Sequence, residues 1–272
     1  LDSLPPLRDL IRAYDLRAEK SLGQNFLLDS NVTDKIAGFA APHFDGTETV
    51  FEIGPGPGGL TRSLLKAGAA KVIAIEFDAR AVRALQALQE AASGRLEIIH
   101  GDALEVDLSA LSSGPGIIAA NLPYNIATPL LINWLAQIRR NSNSFKSMVL
   151  MFQREVADRL TAEPATRAYG RLSVMSRWLC RVRRVYDLPP SAFTPPPKVS
   201  SAVVEFLPKA LDDNAPSFEE METLVAKAFN QRRKMIRSTL KDYLPQIEKA
   251  GINPELRAEN LSVIDFVRIL RG

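Results

Sequence analysis

The chain has 272 residues, of which 24% are charged, with a formal net charge of +3 at pH 7 and a mean hydropathy close to zero. It contains no apolar run of about 20 residues that could span a membrane, and its first 20 residues are not typical of a signal peptide. The single cysteine, Cys180, cannot form an internal disulfide. This favours a reducing compartment such as the cytoplasm, and with only two histidines no metal site is expected.

The positive charge is concentrated in the middle of the chain. Between Arg139 and Lys198, twelve Lys and Arg residues stand against four Asp and Glu residues, a local balance of +8, so the remainder sums to −5. This asymmetry predicts one basic face that binds a polyanion. The alternative is that many of these arginines are solvated residues on helix surfaces.

The predicted elements begin with an N-terminal arm, residues 1–20, that contains a short helix. A polar turn follows, in which the amides of Gln24 and Asn25 could bind a polar small molecule or cap a helix. Strands then alternate with amphipathic helices, which is typical of an α/β fold with a mostly parallel sheet. The predicted strands are residues 49–53, 71–75, 96–100, 117–120, 147–153, 182–188 and 201–207. The predicted helices between them are residues 31–41, 60–67, 80–92, 128–137, 154–160 and 168–181.

A glycine-rich turn, residues 54–59, follows the first of these strands and precedes a helix. This order opens nucleotide-binding units, because glycines let the backbone approach a ligand that a Cβ would exclude. Glu76 ends the second strand, 22 residues after Gly54, where a carboxylate can bind the two hydroxyls of a ribose. Asp102 follows the third strand, where it could accept from the amine of an adenine or cap a turn.

The turn fits the dinucleotide motif G-x-G-x-x-G, so a nicotinamide-dependent dehydrogenase is the first alternative. However, Pro55 and Pro57 lack the N–H groups that a pyrophosphate needs, and Glu52 before the turn would repel phosphate. S-adenosylmethionine fits better, because it has an adenosine end, no phosphate, and a sulfonium cation that tolerates nearby carboxylates.

The fourth predicted strand ends at Asn121, and Pro123 stops regular pairing, so residues 121–124 should lie at the carboxyl edge of the sheet. There the Asn121 side-chain oxygen and the Leu122 carbonyl can accept both N–H bonds of an exocyclic amine, while Tyr124 stacks on the base. Such an arrangement needs no titratable base. The tetrapeptide alone could equally be a strand-ending turn.

The last third of the chain begins with a proline-rich loop, residues 189–198. Its Phe193 could form a second stacking wall or belong to the core. Residues 208–217 form a polar linker and the best candidate domain boundary. Beyond the linker we predict helices over residues 218–230 and 231–243, and two short helices that end near residue 270. A basic stripe in this part could bind nucleic acid or be a solvated helix face: Arg232, Arg233, Lys234 and Arg237.

Seven motifs, in this order and over nearly the whole chain, resemble the ribosomal RNA adenine N6,N6-dimethyltransferases. They are Gly-Gln-Asn-Phe-Leu (23–27), Glu-Ile-Gly-Pro-Gly (52–56), Glu76, Gly-Asp (101–102), Asn-Leu-Pro-Tyr-Asn (121–125), Phe-Thr-Pro-Pro-Pro-Lys-Val (193–199) and Asn-Gln-Arg-Arg-Lys (230–234). The resemblance implies a Rossmann-like S-adenosylmethionine-dependent methyltransferase domain, residues 1–208 including the arm. A smaller all-helical domain, residues 209–272, would bind RNA or the ribosome.

The residue pattern and the resemblance together predict the site. The catalytic residues would be Asn121, Leu122, Pro123, Tyr124 and Phe193. The cofactor would be bound by Gln24, Asn25, Leu27, Gly54, Gly56, Glu76, Asp102 and Asn121. RNA would be bound by Arg232, Arg233, Lys234 and Arg237, and no metal is expected.

The resemblance also implies a reaction. Two adjacent adenines near the 3′ end of 16S ribosomal RNA, within an immature 30S particle, would be dimethylated, with S-adenosylhomocysteine as the product of the cofactor. The expected state is a cytoplasmic monomer. Two alternatives stay open: a 23S ribosomal RNA methyltransferase of the macrolide-resistance type, and a non-catalytic RNA-binding assembly or transcription factor with the same fold. The motif at residues 230–237 is similar to the small-subunit branch.

Overall fold

A seven-stranded mixed sheet organises the computed structural model, which describes residue 1 and residues 3–271. The strands are β1 (Phe26–Leu27), β2 (Thr49–Ile53), β3 (Lys71–Glu76), β4 (Leu96–His100), β5 (Gly116–Asn121), β6 (Phe145–Gln153), β7 (Cys180–Leu188), β8 (Phe193–Thr194) and β9 (Ser201–Pro208). The order across the sheet is β4-β3-β2-β5-β6-β9-β7. The first five are parallel, and β9 runs antiparallel to both its neighbours. β1 and β8 form a separate antiparallel pair.

The connections place the helices over both faces of the sheet. The helices are α1 (Leu7–Ala13), α2 (Ser30–Ala40), α3 (Gly59–Lys66), α4 (Ala79–Ala84), α5 (Gln86–Ala91), α6 (Ala127–Arg140), α7 (Arg154–Thr161), α8 (Arg171–Leu179), α9 (Phe218–Phe229), α10 (Ile236–Thr239), α11 (Leu244–Lys249) and α12 (Val263–Arg271). The strand order reverses between β2 and β5. Open α/β sheets bind ligands beside the carboxyl ends of the strands at such a reversal. The predicted Rossmann-like class and its strands are confirmed.

The central strands are apolar because they are buried on both faces. Successive side chains of β2 point to opposite sides: Val50 packs with Ile36 of α2, whereas Phe51 belongs to the cluster that contains Trp134 of α6. The same alternation along β5 sends Ile117 to the first cluster and the next residue to the second. The sheet is therefore held in register by two cores.

The C-terminal helices share one of these cores with the sheet. Residues of α9 and α12 lie in the same cluster as Trp134, and the Tyr169 hydroxyl donates to the Leu261 carbonyl at 2.7 Å. Arg139 at the end of α6 donates to the carbonyls of Ala215 and Pro216 in the linker. The linker is thus fastened to the sheet domain. The division of the chain at residue 208 remains a prediction.

Two predicted helices were wrong in extent. The helix predicted over residues 80–92 is two shorter helices, α4 and α5. The helix predicted over residues 231–243 is replaced by a turn at residues 231–234, the short helix α10, and a 3-10 helix, Lys241–Tyr243. The reason is tertiary: Met235 is extended and bridges to Arg257, and the next two N–H groups donate to the carbonyls of Leu256 and Pro254. Backbone donors used in this way cannot continue a helix.

Two features are absent from the described residues. No helix there is both long and apolar enough to cross a lipid bilayer. Nor did residue 1 and residues 3–271 contain a group of three or more His, Cys, Asp or Glu side chains able to hold a metal ion.

Candidate active site

A cavity of about 310 Å³ opens at the carboxyl ends of β2, β3, β4 and β5. It lies at the reversal of strand order, and residues 21–27 of the N-terminal segment cover one side of it. Every predicted cofactor residue lines this cavity, as do four of the five predicted catalytic residues. The strand ends and the covering segment therefore enclose one compartment.

The glycine turn after β2 forms the floor of the cavity. Gly54 and Gly56 have φ angles of +65° and +55°, which residues with a Cβ rarely adopt. A Cβ on Gly56 would lie 2.9 Å from the ring of Phe26, and one on Gly54 would lie 3.3 Å from Pro123. Both positions require glycine because of their backbone conformation and because of these close contacts.

Glu76 at the end of β3 is held in place by the backbone. Its two carboxyl oxygens accept from the N–H groups of Gly56 at 3.0 Å and Asp78 at 2.9 Å, and its side chain is buried. Burial raises the pKa of Glu76, while these two hydrogen bonds oppose that rise. A carboxylate fixed in this way can accept from the hydroxyls of a ribose.

Asp102 after β4 is a turn cap that lies at the cavity. One of its oxygens accepts from the N–H of Leu104 at 2.9 Å and so caps the following turn. The residue also lines the cavity. The cap fixes the side chain and leaves acceptor capacity on its carboxylate.

The N-terminal segment is anchored by its amides. The Gln24 side chain accepts from the N–H of Glu19 and donates to Asp78 at 3.0 Å. Asp78 also receives hydrogen bonds from Arg80, which lower the pKa of its carboxyl to about 2. Leu27, in β1, buries its side chain next to α2 and pairs with Phe193.

Asn121 connects this segment to the end of β5. Its side-chain amide N–H donates to the Asn25 carbonyl at 3.1 Å, so the amide nitrogen is occupied and the amide oxygen is the group left to accept. Leu122 has its side chain buried in the core, so its backbone carbonyl is what it can offer to a ligand. The Tyr124 hydroxyl lies 2.6 Å from Ser201 Oγ, which fixes the ring beside the same compartment.

Phe193 occupies a different place. Its side chain is 2% exposed, belongs to the core cluster of α2 and α3, and does not line the cavity. Of the two alternatives, the structure supports the core, so the stacking role predicted for Phe193 is corrected. The reason is its pairing with Leu27 in the β1–β8 ribbon, which turns the residue toward the sheet.

Several residues that line the cavity were not among the predicted site residues, and they include Phe77, Asp78 and Glu52. Phe77 follows Glu76 and is 62% exposed although it is a large apolar residue. Asp78 anchors Gln24, and Glu52 at the end of β2 is fully buried. The sequence shows Phe77 and Asp78 directly after Glu76, and this could have suggested a site. Only the folded chain shows that they face the cavity.

The predicted RNA-binding residues lie away from the cavity and are exposed. Arg232 donates to the Arg167 carbonyl at 2.7 Å and lies 3.5 Å from Glu259. It lines a groove of about 1,230 Å³ between α7, residues 165–172 and α9. We call this the arginine groove, since it is lined by Arg159, Arg167, Arg171 and Arg232. Three of these arginines pair with acids: Arg159 with Glu155, Arg171 with Glu222 and Arg232 with Glu259.

The strand order, with a cavity at its reversal, is that of a Rossmann-like methyltransferase fold. Solved structures share this fold. A dimethyladenosine transferase from Plasmodium falciparum has 29% identity and a TM-score of 0.73, covering 89% of this chain and 95% of that one. The 23S ribosomal RNA methyltransferase ErmE has 24% identity and a TM-score of 0.68, covering 91% and 98%.

The sequence comparison is more specific. Residues 15–271 match the family described as ribosomal RNA adenine dimethylase. The ribosomal RNA small subunit methyltransferase A of Rhodospirillum rubrum is 50% identical over 274 residues, which cover 100% of this chain and 93% of that protein. The chain belongs to the ribosomal RNA adenine dimethylase family, and the predicted resemblance is confirmed.

Proposed function

We propose that this protein transfers methyl groups from S-adenosylmethionine to N6 of two adjacent adenines near the 3′ end of 16S ribosomal RNA in the 30S particle. Each adenine would receive two methyl groups. The observation that carries the proposal is the hydrogen bond from Asn121 to the Asn25 carbonyl. It orients the amide so that its oxygen remains an acceptor in a compartment that also holds the glycine turn and Glu76.

The proposed chemistry needs acceptors and no titratable base. The Asn121 oxygen and the Leu122 carbonyl accept the two N–H bonds of the adenine amine, which draws its lone pair out of conjugation with the ring. Bound S-adenosylmethionine would supply the methyl group that this lone pair takes, and an amine proton would then be lost to solvent. Because the adenine must leave its stack, at a cost of a few kcal/mol, stacking on Tyr124 can offset part of it, about 1–3 kcal/mol.

The cofactor roles follow from the site geometry. Glu76 would accept from the ribose hydroxyls, Asp102 from the adenine amine, and Gly54 and Gly56 would let the backbone approach the methionine part. Gln24, Asn25 and Leu27 would close the compartment from above. Pro123, packed at the glycine turn, would hold the acceptor segment against the cofactor. When bound, S-adenosylmethionine supplies the activated methyl group and leaves as S-adenosylhomocysteine.

The choice of 16S ribosomal RNA as substrate is supported by sequence identity to relatives and by exposed positive charge. A relative at 50% identity is named a small subunit enzyme, whereas the 23S methyltransferase of similar fold is only 24% identical. Arg232, Arg233, Lys234 and Arg237 are exposed cations in the part of the chain that we propose as the ribosome-binding domain, residues 209–272. We place the reaction in the cytoplasm, with the protein acting as a monomer.

The test is transfer of tritium from labelled S-adenosylmethionine to purified ribosomal particles. We expect label in 16S RNA of 30S particles from cells that lack the two dimethyladenosines, and no label in particles that already carry them. Mass spectrometry of the nucleosides should show N6,N6-dimethyladenosine. Label in 23S RNA would support the resistance-type alternative, and no label in either RNA would support the non-catalytic assembly factor.

A further inference from the structure

Glu52 is a buried acid in the wall of the cofactor cavity to which the proposed mechanism assigns no role. It lies at the carboxyl end of β2, two residues before Gly54, and lines the cavity while its side chain is 2% exposed overall. Among the described residues, its carboxyl receives a single hydrogen bond, from the Thr61 hydroxyl of α3 at 2.6 Å. Its second oxygen has no donor of its own.

Among the residues that the structure describes, no cation acts on the Glu52 carboxyl. From β3 the nearby ionisable group is Glu76, also an acid, and α3 contributes the neutral hydroxyl of Thr61. The neutral amide of Asn121, at the end of β5, lines the same cavity. Removal from water and the nearby negative charge both disfavour a carboxylate. Burial first, and the charge of Glu76 to a lesser degree, raise the pKa of Glu52 to about 8.

The glutamate at the other end of the same strand has different hydrogen-bond partners. Glu48, just before β2, is 3% exposed, but its carboxyl accepts from the N–H groups of Asp45, Gly46 and Ala70. These backbone donors help to hold the pKa of Glu48 below its usual value despite burial. Glu52 lacks such donors and instead faces a ligand cavity.

We propose that Glu52 is a specificity-determining residue that distinguishes the cationic cofactor from its neutral-sulfur product by exchanging a proton. This inference rests on the proposed use of S-adenosylmethionine. In the empty site Glu52 is a carboxylic acid. When the sulfonium ligand binds, the O–H bond of Glu52 breaks, the proton goes to the buffer, and the carboxylate faces the cation. After methyl transfer the sulfur is uncharged, Glu52 takes a proton back from solvent, and the product loses that attraction.

The first measurement is proton release on binding. Titration calorimetry of the whole protein at pH 7, in two buffers of different ionisation enthalpy, should show that S-adenosylmethionine releases roughly 0.9 proton per site, since an acid with a pKa of about 8 is mostly protonated there. S-adenosylhomocysteine keeps the amino-acid charges but has no sulfonium, and 5′-methylthioadenosine has neither. Both should release clearly less. Equal release by S-adenosylmethionine and S-adenosylhomocysteine would overturn the proposal.

The second measurement is the ratio of the two affinities. From pH 7 to pH 9, binding of S-adenosylmethionine relative to S-adenosylhomocysteine should strengthen about tenfold, because the competent carboxylate grows from roughly a tenth of the protein to roughly nine tenths. Both ligands carry the same amino group, so the effect of its titration on the two affinities cancels in the ratio. A ratio that does not change with pH contradicts the proposal even without any variant.

Two variants locate the effect. Glu52→Gln keeps an acceptor for Thr61 and should abolish both the proton release and the pH dependence of the ratio. Glu48→Gln, at the opposite end of β2, should retain both; loss in both variants would indicate a general change of fold. If wild-type protein binds and uses S-adenosylmethionine without releasing a proton, this inference fails while the proposed function stands. If the cofactor does not bind at all, the proposed function fails first.

Discussion

Two regions of the molecule hold their polar groups in different ways. One is the cofactor wall, formed by Glu52, Gly54, Gly56 and Glu76, and the other is the arginine groove. In the wall, backbone N–H groups and positive φ angles fix the geometry, and the side chains are buried. In the groove, exposed arginines are held by acids at 2.5 to 3.9 Å, in pairs that water and salt screen. The proposed cofactor contacts in the wall therefore depend on a fixed shape, whereas the RNA contacts proposed for exposed cations depend on charge. Substitutions in the wall should therefore cost much more than substitutions among the exposed cations.

The largest effect on turnover is expected at Asn121, the proposed acceptor for the adenine amine. Asn121→Ala removes the acceptor for the adenine amine and should lower the rate of methyl transfer roughly 10²–10³-fold, as for other preorganised polar contacts in active sites. Single-turnover assays with 30S particles would measure it. Asn133→Ala, an exposed asparagine on α6, is the matched control and should keep wild-type turnover. Near-normal turnover by Asn121→Ala would remove the proposed active centre.

The second largest effect is expected on the free energy of unfolding, through Glu52. Glu52 has a raised pKa in the folded protein, so the folded state binds a proton that the unfolded state releases, and stability falls as pH rises from about 4.5 to about 8. In the absence of cofactor, Glu52→Gln should be more stable than wild type at pH 8 by about 2–4 kcal/mol, with the gap closing toward pH 4.5. Urea unfolding at a series of pH values would show it.

In the same unfolding experiment, substitution of Glu48 should change stability in the opposite direction from substitution of Glu52. Its lowered pKa contributes stability that is present above the unfolded pKa and is lost as the pH falls through the folded one. Glu48→Gln should therefore destabilise the protein at neutral pH, and this loss should shrink in acid. If both glutamine variants changed stability in the same direction, the contrast between the two ends of β2 would be wrong.

A smaller loss is expected at Glu76. Glu76→Ala removes a carboxylate that can accept from the ribose and leaves the N–H groups of Gly56 and Asp78 without their acceptor. Because hydrogen bonds to a charged group contribute about 1.5–3 kcal/mol, S-adenosylmethionine should bind about 10 to 100 times more weakly. Calorimetry would measure the affinity. Unchanged binding would exclude the ribose role.

The smallest effects are expected for single exposed cations. Arg233 and Lys234 have no ion pair recorded among the described residues, whereas Arg232 is near Glu259 and Arg237 is 3.8 Å from Glu255. Arg233→Ala should weaken RNA binding only a few-fold and reduce the slope of log affinity against log salt by about 1. Binding to 30S particles over a range of KCl concentrations would test this. Arg237→Ala, already paired with Glu255, should change the slope less, and equal slopes for both variants would contradict the distinction.

The sequence by itself determined the parts of this protein whose signals are local. Alternating strands and helices, the glycine turn, and strand-end residues such as Glu76, Asp102 and Asn121 could be predicted because parallel strands bring their carboxyl ends to one edge. Glycine was expected in this turn for close approach to a ligand, and the positive φ angles of Gly54 and Gly56 add a second, conformational reason.

Only the tertiary structure decided the rest. Phe193 is in the core because β8 pairs with β1, across more than 160 residues of chain, and no local pattern encodes that pairing. The helix does not run through residues 231–235 because Met235 bridges to Arg257 and the next two N–H groups donate to the carbonyls of Leu256 and Pro254. The Asn121 amide is oriented by the Asn25 carbonyl, 96 residues away. Glu52 becomes a buried acid through the strands and the helix packed around it. Contacts between distant segments choose among conformations that local propensity leaves nearly equal in free energy, so these features required the folded chain.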